Sequence, residues 1–185
     1  MKKIFTLIAL TITFSMNAQM ADNSSNTSAT GTNAVAMGDQ TTASGSRSTA
    51  MGYQTNASGN RSTAMGNTTV ASGSRSTAMG YNAVASGGRS TAMGESTEAS
   101  GDYSVAMGYE TRASGNKSFA MGESTTASDF ASTVIGQYNS SGSSVTNSAT
   151  IFSTSNTAFV IGNGIAGGAK SDAFKVMFNG DAYIS

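Results

Sequence analysis

A regular order of small and polar residues runs along the chain between residues 32 and 136. Alanine, one further residue and glycine recur at seven-residue spacing, and the middle residue alternates between methionine and serine. Two such halves make a 14-residue copy, with Ala-Met-Gly at positions 5 to 7 and Ala-Ser-Gly at positions 12 to 14. A short period without insertions is typical of one structural unit stacked on itself. The seven copies begin at Thr32, Ser46, Asn60, Ser74, Gly88, Asp102 and Asn116.

The pattern predicts β-strands and excludes a coiled coil. A coiled coil requires large apolar residues at two heptad positions and good helix formers elsewhere, whereas here every seventh residue is glycine. A glycine inside a helix costs ~1 kcal/mol relative to alanine. Threonine and valine at position 4 favour strands. We therefore expect each half of a copy to hold a strand of about five residues, followed by a glycine bend with positive φ.

Two short strands per copy predict a flattened coil, and such coils stack ~4.8 Å apart along their common axis. The interior of so narrow a coil admits only small side chains. Because alternate residues of a strand face opposite sides, we expect alanine inside and methionine outside. The reverse arrangement, with methionine inside and alanine outside, is the open alternative. The candidate interior residues are Ala50, Ala57, Ala64, Ala71, Ala78, Ala85, Ala92 and Ala99.

Seven methionines, one from each copy, then form a stripe along the outside of the stack. An exposed apolar stripe of this length does not stay in water on a monomer, and its simplest partner is the same stripe on another copy of the chain. The stripe is interpreted as packing and not as metal or haem ligation. The candidate subunit-interface residues are Met37, Met51, Met65, Met79, Met93, Met107 and Met121.

Composition narrows the range of functions. Only 38% of the residues are hydrophobic and many of these are alanine or methionine, which argues against a conventional globular core. The chain contains no cysteine and no histidine, and so lacks thiolate ligands and the commonest general base. Ten basic and ten acidic side chains balance, so no excess of positive charge attracts nucleic acid. We expect a non-enzymatic protein without cofactor, metal site or nucleic-acid partner.

The N-terminal residues predict a secretory signal peptide. Lys2 and Lys3 precede an apolar run that is too short to span a bilayer, and a processing point follows Ala18. No later segment is apolar enough to be a transmembrane helix. We divide the chain into a signal peptide (1–18), a lead-in or first partial coil (19–31), the repeats (32–136) and a strand-rich C-terminal cap or connector (137–185).

Three further motifs bear on binding. A row of cations at position 2 is either a solvated edge or a surface that faces an acidic ligand. Threonine occupies position 10 in six of the seven copies, and a regular threonine row is one feature of ice-binding faces. The irregular flanking residues argue against that function here. Residues 162–167 match the glycine pattern of a dinucleotide-binding motif. Because fewer than 20 residues follow, the helix and second strand that such a motif requires have no room, and we interpret these residues as a turn. The candidate ligand-facing residues are Arg47, Arg61, Arg75, Arg89 and Lys117.

The run Ser104-Val105-Ala106-Met107-Gly108, followed by Ala113-Ser114-Gly115, resembles the head repeat of YadA-like trimeric autotransporter adhesins. Period, glycine phase and alanine phase all agree from Thr32 to Gly136, and methionine replaces the usual isoleucine, which returns at Ile135. The resemblance implies a left-handed parallel β-roll, three chains per head, and adhesion at the surface of a Gram-negative bacterium. The family normally continues into a stalk and a membrane barrel, whereas this sequence ends at Ser185, so we expect a fragment, or a protein that is secreted or held by something else. Residues 158–185 resemble strand-rich segments that follow such heads in long surface and phage-fibre-like proteins, which favours truncation or a trimer-closing cap.

These observations together predict an all-β protein, a homotrimeric β-roll solenoid of 14-residue coils. We expect a secreted or outer-membrane adhesin head, associated with virulence, that attaches to host matrix protein, acidic glycan or other cells. The alternative is a spacer segment of a secreted or phage-tail-like fibre without a ligand of its own.

Overall fold

The computed structural model describes residues 26–140 and 148–185, together with the backbone of residues 20 and 21. The predicted signal peptide and its cleavage point lie outside these described residues. Within them the chain forms twenty strands in two sheets. No stretch of the described chain forms a helix of the length and apolarity needed to cross a membrane.

The first sheet contains one strand before the repeats, one from each of the seven copies, one from the partial copy that follows them, and the three strands of the C-terminal segment, in chain order. Its strands are β1 (Met20–Ala21), β3 (Val35–Asp39), β5 (Thr49–Tyr53), β7 (Thr63–Asn67), β9 (Thr77–Tyr81), β11 (Thr91–Glu95), β13 (Val105–Tyr109), β15 (Phe119–Glu123), β17 (Thr133–Gln137), β18 (Thr157–Asn163), β19 (Asp172–Met177) and β20 (Ala182–Ile184).

The second sheet is built from one strand before the repeats and from the other half of each of the seven copies. Its strands are β2 (Ser28–Ala29), β4 (Thr42–Ala43), β6 (Asn56–Ala57), β8 (Val70–Ala71), β10 (Val84–Ala85), β12 (Glu98–Ala99), β14 (Arg112–Ala113) and β16 (Thr126–Ala127).

Both sheets are parallel through the repeats, and equivalent residues stack directly on one another. Met51 pairs with Met37 on one side and with Met65 on the other, and Ala57 pairs in the same way with Ala43 and Ala71. Each coil therefore advances by one 14-residue copy. The predicted fold class, an all-β parallel solenoid with coils of this length, is confirmed.

The two halves of a copy differ in strand length. The first half forms a strand of five residues, such as β7, and the second a strand of two, such as β8. The short strand ends because the N–H groups of Ser58 and Gly59 both donate to the carbonyl of Ala71, at 3.1 Å each, which interrupts the regular ladder. The expectation of two equal strands is therefore right only for the first half.

The space between the sheets is filled by alanine and small hydroxyl residues. The eight alanines expected inside the coil all have an exposed fraction of 0%. Serine at position 3 and threonine at position 10 are buried beside them, and Ser62 Oγ donates to the carbonyl of Gly59 at 2.7 Å. Because the threonine row is buried, it presents no face to ice.

Glycine is required at both of its positions, for two different reasons. At position 7, Gly52 has a φ of 125°, where residues with a side chain are disfavoured. At position 14, Gly59 is not in this region, but a Cβ there would lie 2.0 Å from the carbonyl oxygen of Gly73 in the next coil. The expectation that every glycine bend has positive φ is therefore right at position 7 and wrong at position 14.

The regular stack ends beyond β17 with a longer step. Thr133 pairs with Phe159, so that β18 continues the parallel sheet after a connection longer than one copy. Val160 then lies fully buried in the column of Val134. The next two strands, β19 and β20, are antiparallel and close the sheet with a meander. The residues of the fingerprint-like motif end β18 and form the turn into β19.

Candidate interaction surfaces

The coil has four long sides, and each presents one type of residue repeated at every turn of the stack. The outer surface of the first sheet carries positions 4 and 6 and is called the methionine face. The outer surface of the second sheet carries the position-13 serines and is called the serine face. Positions 1 and 2 form one corner between the sheets, and positions 8 and 9 form the opposite corner. Because each side repeats along the roll, extended surfaces are the candidate sites. The corner of positions 1 and 2 also holds a cavity of about 100 Å³, lined by Ser46, Arg47, Asn60 and Arg61.

The methionine face is a continuous, partly exposed apolar column. All seven methionines point away from the alanine interior; the two at the ends, Met37 and Met121, are 38% and 43% exposed. Ile135 in β17 pairs in register with Met121, and Ile161 in β18 pairs with Ile135, so both extend the column. Threonine, valine or phenylalanine at position 4 lies beside it and is half-buried. A single chain thus leaves a long apolar surface in contact with water.

The basic edge consists of the position-2 residues of six successive coils. These residues are Arg47, Arg61, Arg75, Arg89, Tyr103 and Lys117, and all are exposed.

The backbone of the basic edge is a tight turn with an unusual conformation. Ser62 N–H donates to the carbonyl of Gly59 at 3.2 Å and closes a four-residue turn in which Arg61 is the third residue, with a φ of 58°. Arg61 N–H also donates to the carbonyl of Ser46 in the preceding coil at 2.8 Å. Glycine or asparagine normally occupies such a turn position, and Asn33 does so in the first coil.

Within the described ranges, no carboxylate pairs with Arg47, Arg61 or Arg75. Farther along the edge, the guanidinium of Arg89 lies 4.9 Å from the ring centre of Tyr103 and donates to its hydroxyl. The nearby carboxylate of Asp102 accepts the Gly88 N–H at 2.8 Å. The cations of the basic edge therefore have no acidic partner among the residues that the structure describes.

The opposite corner, called the tyrosine edge, alternates aromatic with acidic or amide residues. Tyr53, Tyr81 and Tyr109 are 41%, 53% and 42% exposed and occur in every second coil. The position-8 residues of the intervening coils are Asp39, Asn67, Glu95 and Glu123.

The tyrosine edge is negatively charged toward its C-terminal end. The charge of Glu110, and then a hydrogen bond to Glu110, raise the pKa of Tyr109 above its usual value. The hydroxyl of Tyr138 donates to Glu123 at 2.9 Å, and this hydrogen bond raises the pKa of Tyr138. Sequence reasoning did not identify this edge. Its signal is a doubled period at position 8, where tyrosine appears in alternate copies and is hidden when single copies are compared.

The serine face is flat and carries few charges. Ser44, Ser58, Ser72 and Ser86 are exposed. Arg112 and Glu98 lie on this face at position 11 and form an ion pair of 3.0 Å between adjacent coils. Among the residues that the structure describes, no group of three or more acidic side chains lies close enough together to hold a metal ion.

Comparison with known proteins adds a family assignment to this geometry. The model of the YadA head domain repeat (2 copies) matches four consecutive stretches, residues 29–55, 57–83, 85–111 and 113–139. Each stretch spans two coils, and together they cover more than half of the chain. A search of curated proteins gave no match.

Proposed function

Because the chain belongs to the YadA head repeat family, we propose that it is the head of a trimeric surface adhesin. The family consists of adhesin-type repeats of bacterial surface proteins whose heads form homotrimers in general. For this chain we propose a homotrimer, secreted through the inner membrane and displayed at or beyond the outer membrane of a Gram-negative bacterium. The function is binding and not catalysis.

The observation that carries the proposal is the repetition of four unlike sides along the whole roll. Exposure to water is least favourable for the apolar methionine face, so we place this face against the other two chains. The serine face and the outer parts of the two edges then remain in solvent. A ligand that follows the roll meets the same groups at every coil, and three chains multiply these weak contacts into avidity.

For the ligand, we propose an extracellular matrix protein or an acidic glycan. The assignment of the cations at position 2 to an acidic ligand stays a prediction. The same cations could instead contact a neighbouring chain of the trimer. Charge reversal at position 2 separates the two roles, because it weakens the trimer only if the cations contact a neighbouring chain.

Binding assays with the isolated trimer test the adhesive function. We expect saturable binding to immobilised matrix protein or acidic polysaccharide that weakens at least tenfold when the chains are dissociated, because avidity is lost. A trimer that binds none of these surfaces would favour the alternative, a fibre spacer that holds other parts apart. Loss of binding after Arg61→Glu with Arg75→Glu, at unchanged trimer mass, would assign the basic edge to the ligand.

A further inference from the structure

The two edges of the roll carry complementary chemistry, and we propose that in the trimer the basic edge of each chain lies against the tyrosine edge of the next. This inference rests on the proposed trimer and adds which residues meet at its three corners. The occupant of each edge is thus a second copy of this chain.

The turn that forms the basic edge does not itself require cations. Its third residue has positive φ, a conformation that arginine and lysine adopt less readily than asparagine or glycine. Asn33 shows that the fold accepts asparagine there. Five later coils nevertheless place a cation at this position. The charges therefore serve a contact outside the turn.

For three of these cations, the described part of the chain supplies no such contact. Arg47, Arg61 and Arg75 are exposed and have no carboxylate partner among the described residues. The tyrosine edge supplies what they lack, because rings and carboxylates both attract cations. The roll already contains two cation–ring contacts on the basic edge, the guanidinium of Arg89 over the ring of Tyr103 and the ammonium of Lys117 over the ring of Phe130, each at 4.9 Å.

Geometry prevents the two edges of one chain from meeting. A strand of the first sheet separates them, and the six residues from position 2 to position 8 span ~20 Å. In a three-fold assembly whose axis runs along the rolls, with the methionine faces turned inward, each corner joins one edge of a chain to the opposite edge of the next. An antiparallel two-fold dimer would instead place like edges together, and two rows of arginine would repel each other.

The register of the two edges also matches. Because a coil climbs only ~4.8 Å per turn, positions 2 and 8 of the same coil lie at nearly the same height in all three chains. Same-coil pairing brings cations to carboxylates, rings or an amide, and never to another cation. The pairs across a corner are Arg47 with Tyr53, Arg61 with Asn67, Arg75 with Tyr81, Arg89 with Glu95, Tyr103 with Tyr109, and Lys117 with Glu123.

A charge exchange between Arg89 and Glu95 tests the corner contact. Arg89→Glu alone and Glu95→Arg alone each place like charges together at three corners. We expect each to weaken the trimer roughly a hundredfold, since each corner loses a factor of about five. The chain that carries both substitutions restores opposite charges at every corner and should regain most of the wild-type stability. Analytical ultracentrifugation over a range of concentrations measures the trimer dissociation constant.

Two features of the chain make this experiment interpretable. Glu110 already adopts positive φ at the equivalent turn of the other corner, so the backbone accepts glutamate at residue 89. Arg112→Glu is the matched control, because Arg112 lies on the serine face, and its ion pair with Glu98 is internal to the chain. That variant should leave the dissociation constant unchanged.

The outcomes separate this inference from the proposed trimer. A wild-type chain that stays monomeric overturns the trimer itself. A stable trimer that neither single substitution weakens overturns the corner contact alone, and so does a double variant that is no more stable than the single ones. Arg89→Glu that keeps the trimer but loses binding to dextran sulfate would assign the basic edge to an acidic ligand instead of a second copy.

Discussion

At the residue scale, the spacing of the coils explains why each repeat position accepts so few amino acids. Ala64 lies fully buried between Ala50 and Ala78, which pair with it in register on the adjacent strands. A side chain longer than alanine would have to enter the facing sheet or the neighbouring coil. Position 14 has even less space for a side chain, because a Cβ there would overlap a backbone carbonyl of the next coil.

Ala64→Leu tests this packing. We expect the free energy of unfolding to fall by about 3 kcal/mol, at the upper end of overpacking effects, because no cavity receives the added carbons. Thermal unfolding followed by circular dichroism measures the change. Met65→Leu, which conserves volume at the outward-facing neighbour, is the control and should cost less than about 1.5 kcal/mol. Unfolding of Ala64→Leu at the wild-type temperature would mean that the alanine column is not the coil interior.

At the element scale, the last regular coil is joined to the C-terminal strands by a buried carboxylate. Asp129 occupies position 14, where the other copies have glycine, and it is fully buried. Its Oδ2 accepts the backbone N–H of Thr157 at 2.7 Å, at the start of β18. The residue that interrupts the glycine series therefore fixes the strand that continues the sheet.

Asp129→Ala should loosen this junction while the earlier coils remain intact. The Thr157 N–H would lose its acceptor in a buried site, which costs about 1–3 kcal/mol. We expect faster hydrogen exchange in β18 and β19, with little change in β5 to β13. Asp129→Asn keeps an acceptor oxygen and should preserve most of the protection. Equal exchange rates in Asp129→Ala and the wild type would show that the hydrogen bond does not hold β18.

The sequence predicts the repeated elements well and the non-repeated ones poorly, for physical reasons. Period and alternation are properties of every copy, so strand positions and stacking follow from them. The positive φ of Arg61 carries no such signal, because the turn is imposed by the hydrogen bonds of the stack and not by the preference of arginine. Likewise, the pairing of Thr133 with Phe159 spans a long connection without a period, so the sequence predicts strands in residues 137–185 but not which strand they pair with.

The tyrosine edge could have been found from sequence but was not. Single copies differ at position 8, so the position looks unconstrained until alternate copies are compared. Its meaning also depends on a three-dimensional fact, namely that positions 2 and 8 of one coil lie on opposite corners of the roll. The complementarity of the two edges can be recognised only once the strand between them is known to be extended.

At the scale of the whole molecule, the structure of one chain does not account for its exposed apolar side chains. In the seven regular copies its interior is narrow and made of alanine, serine and threonine, while the larger apolar side chains lie on the outside. The five methionines between Met37 and Met121 are already half-buried within one chain, and association covers what remains exposed of the methionine face. Folding and assembly are expected to be coupled, so the apparent stability of the head should rise with chain concentration.

The measurement that tests this account most directly is the mass of Met79→Asp in solution by light scattering. A charge in the middle of the methionine face would be buried without a partner at the subunit interface. We predict that the wild type has three times the mass of the chain and that Met79→Asp has the mass of one chain. Ser86→Asp, on the serine face of the same coil, should remain a trimer. A Met79→Asp protein with the same mass as the wild type would contradict the central claim that the methionine face joins the chains.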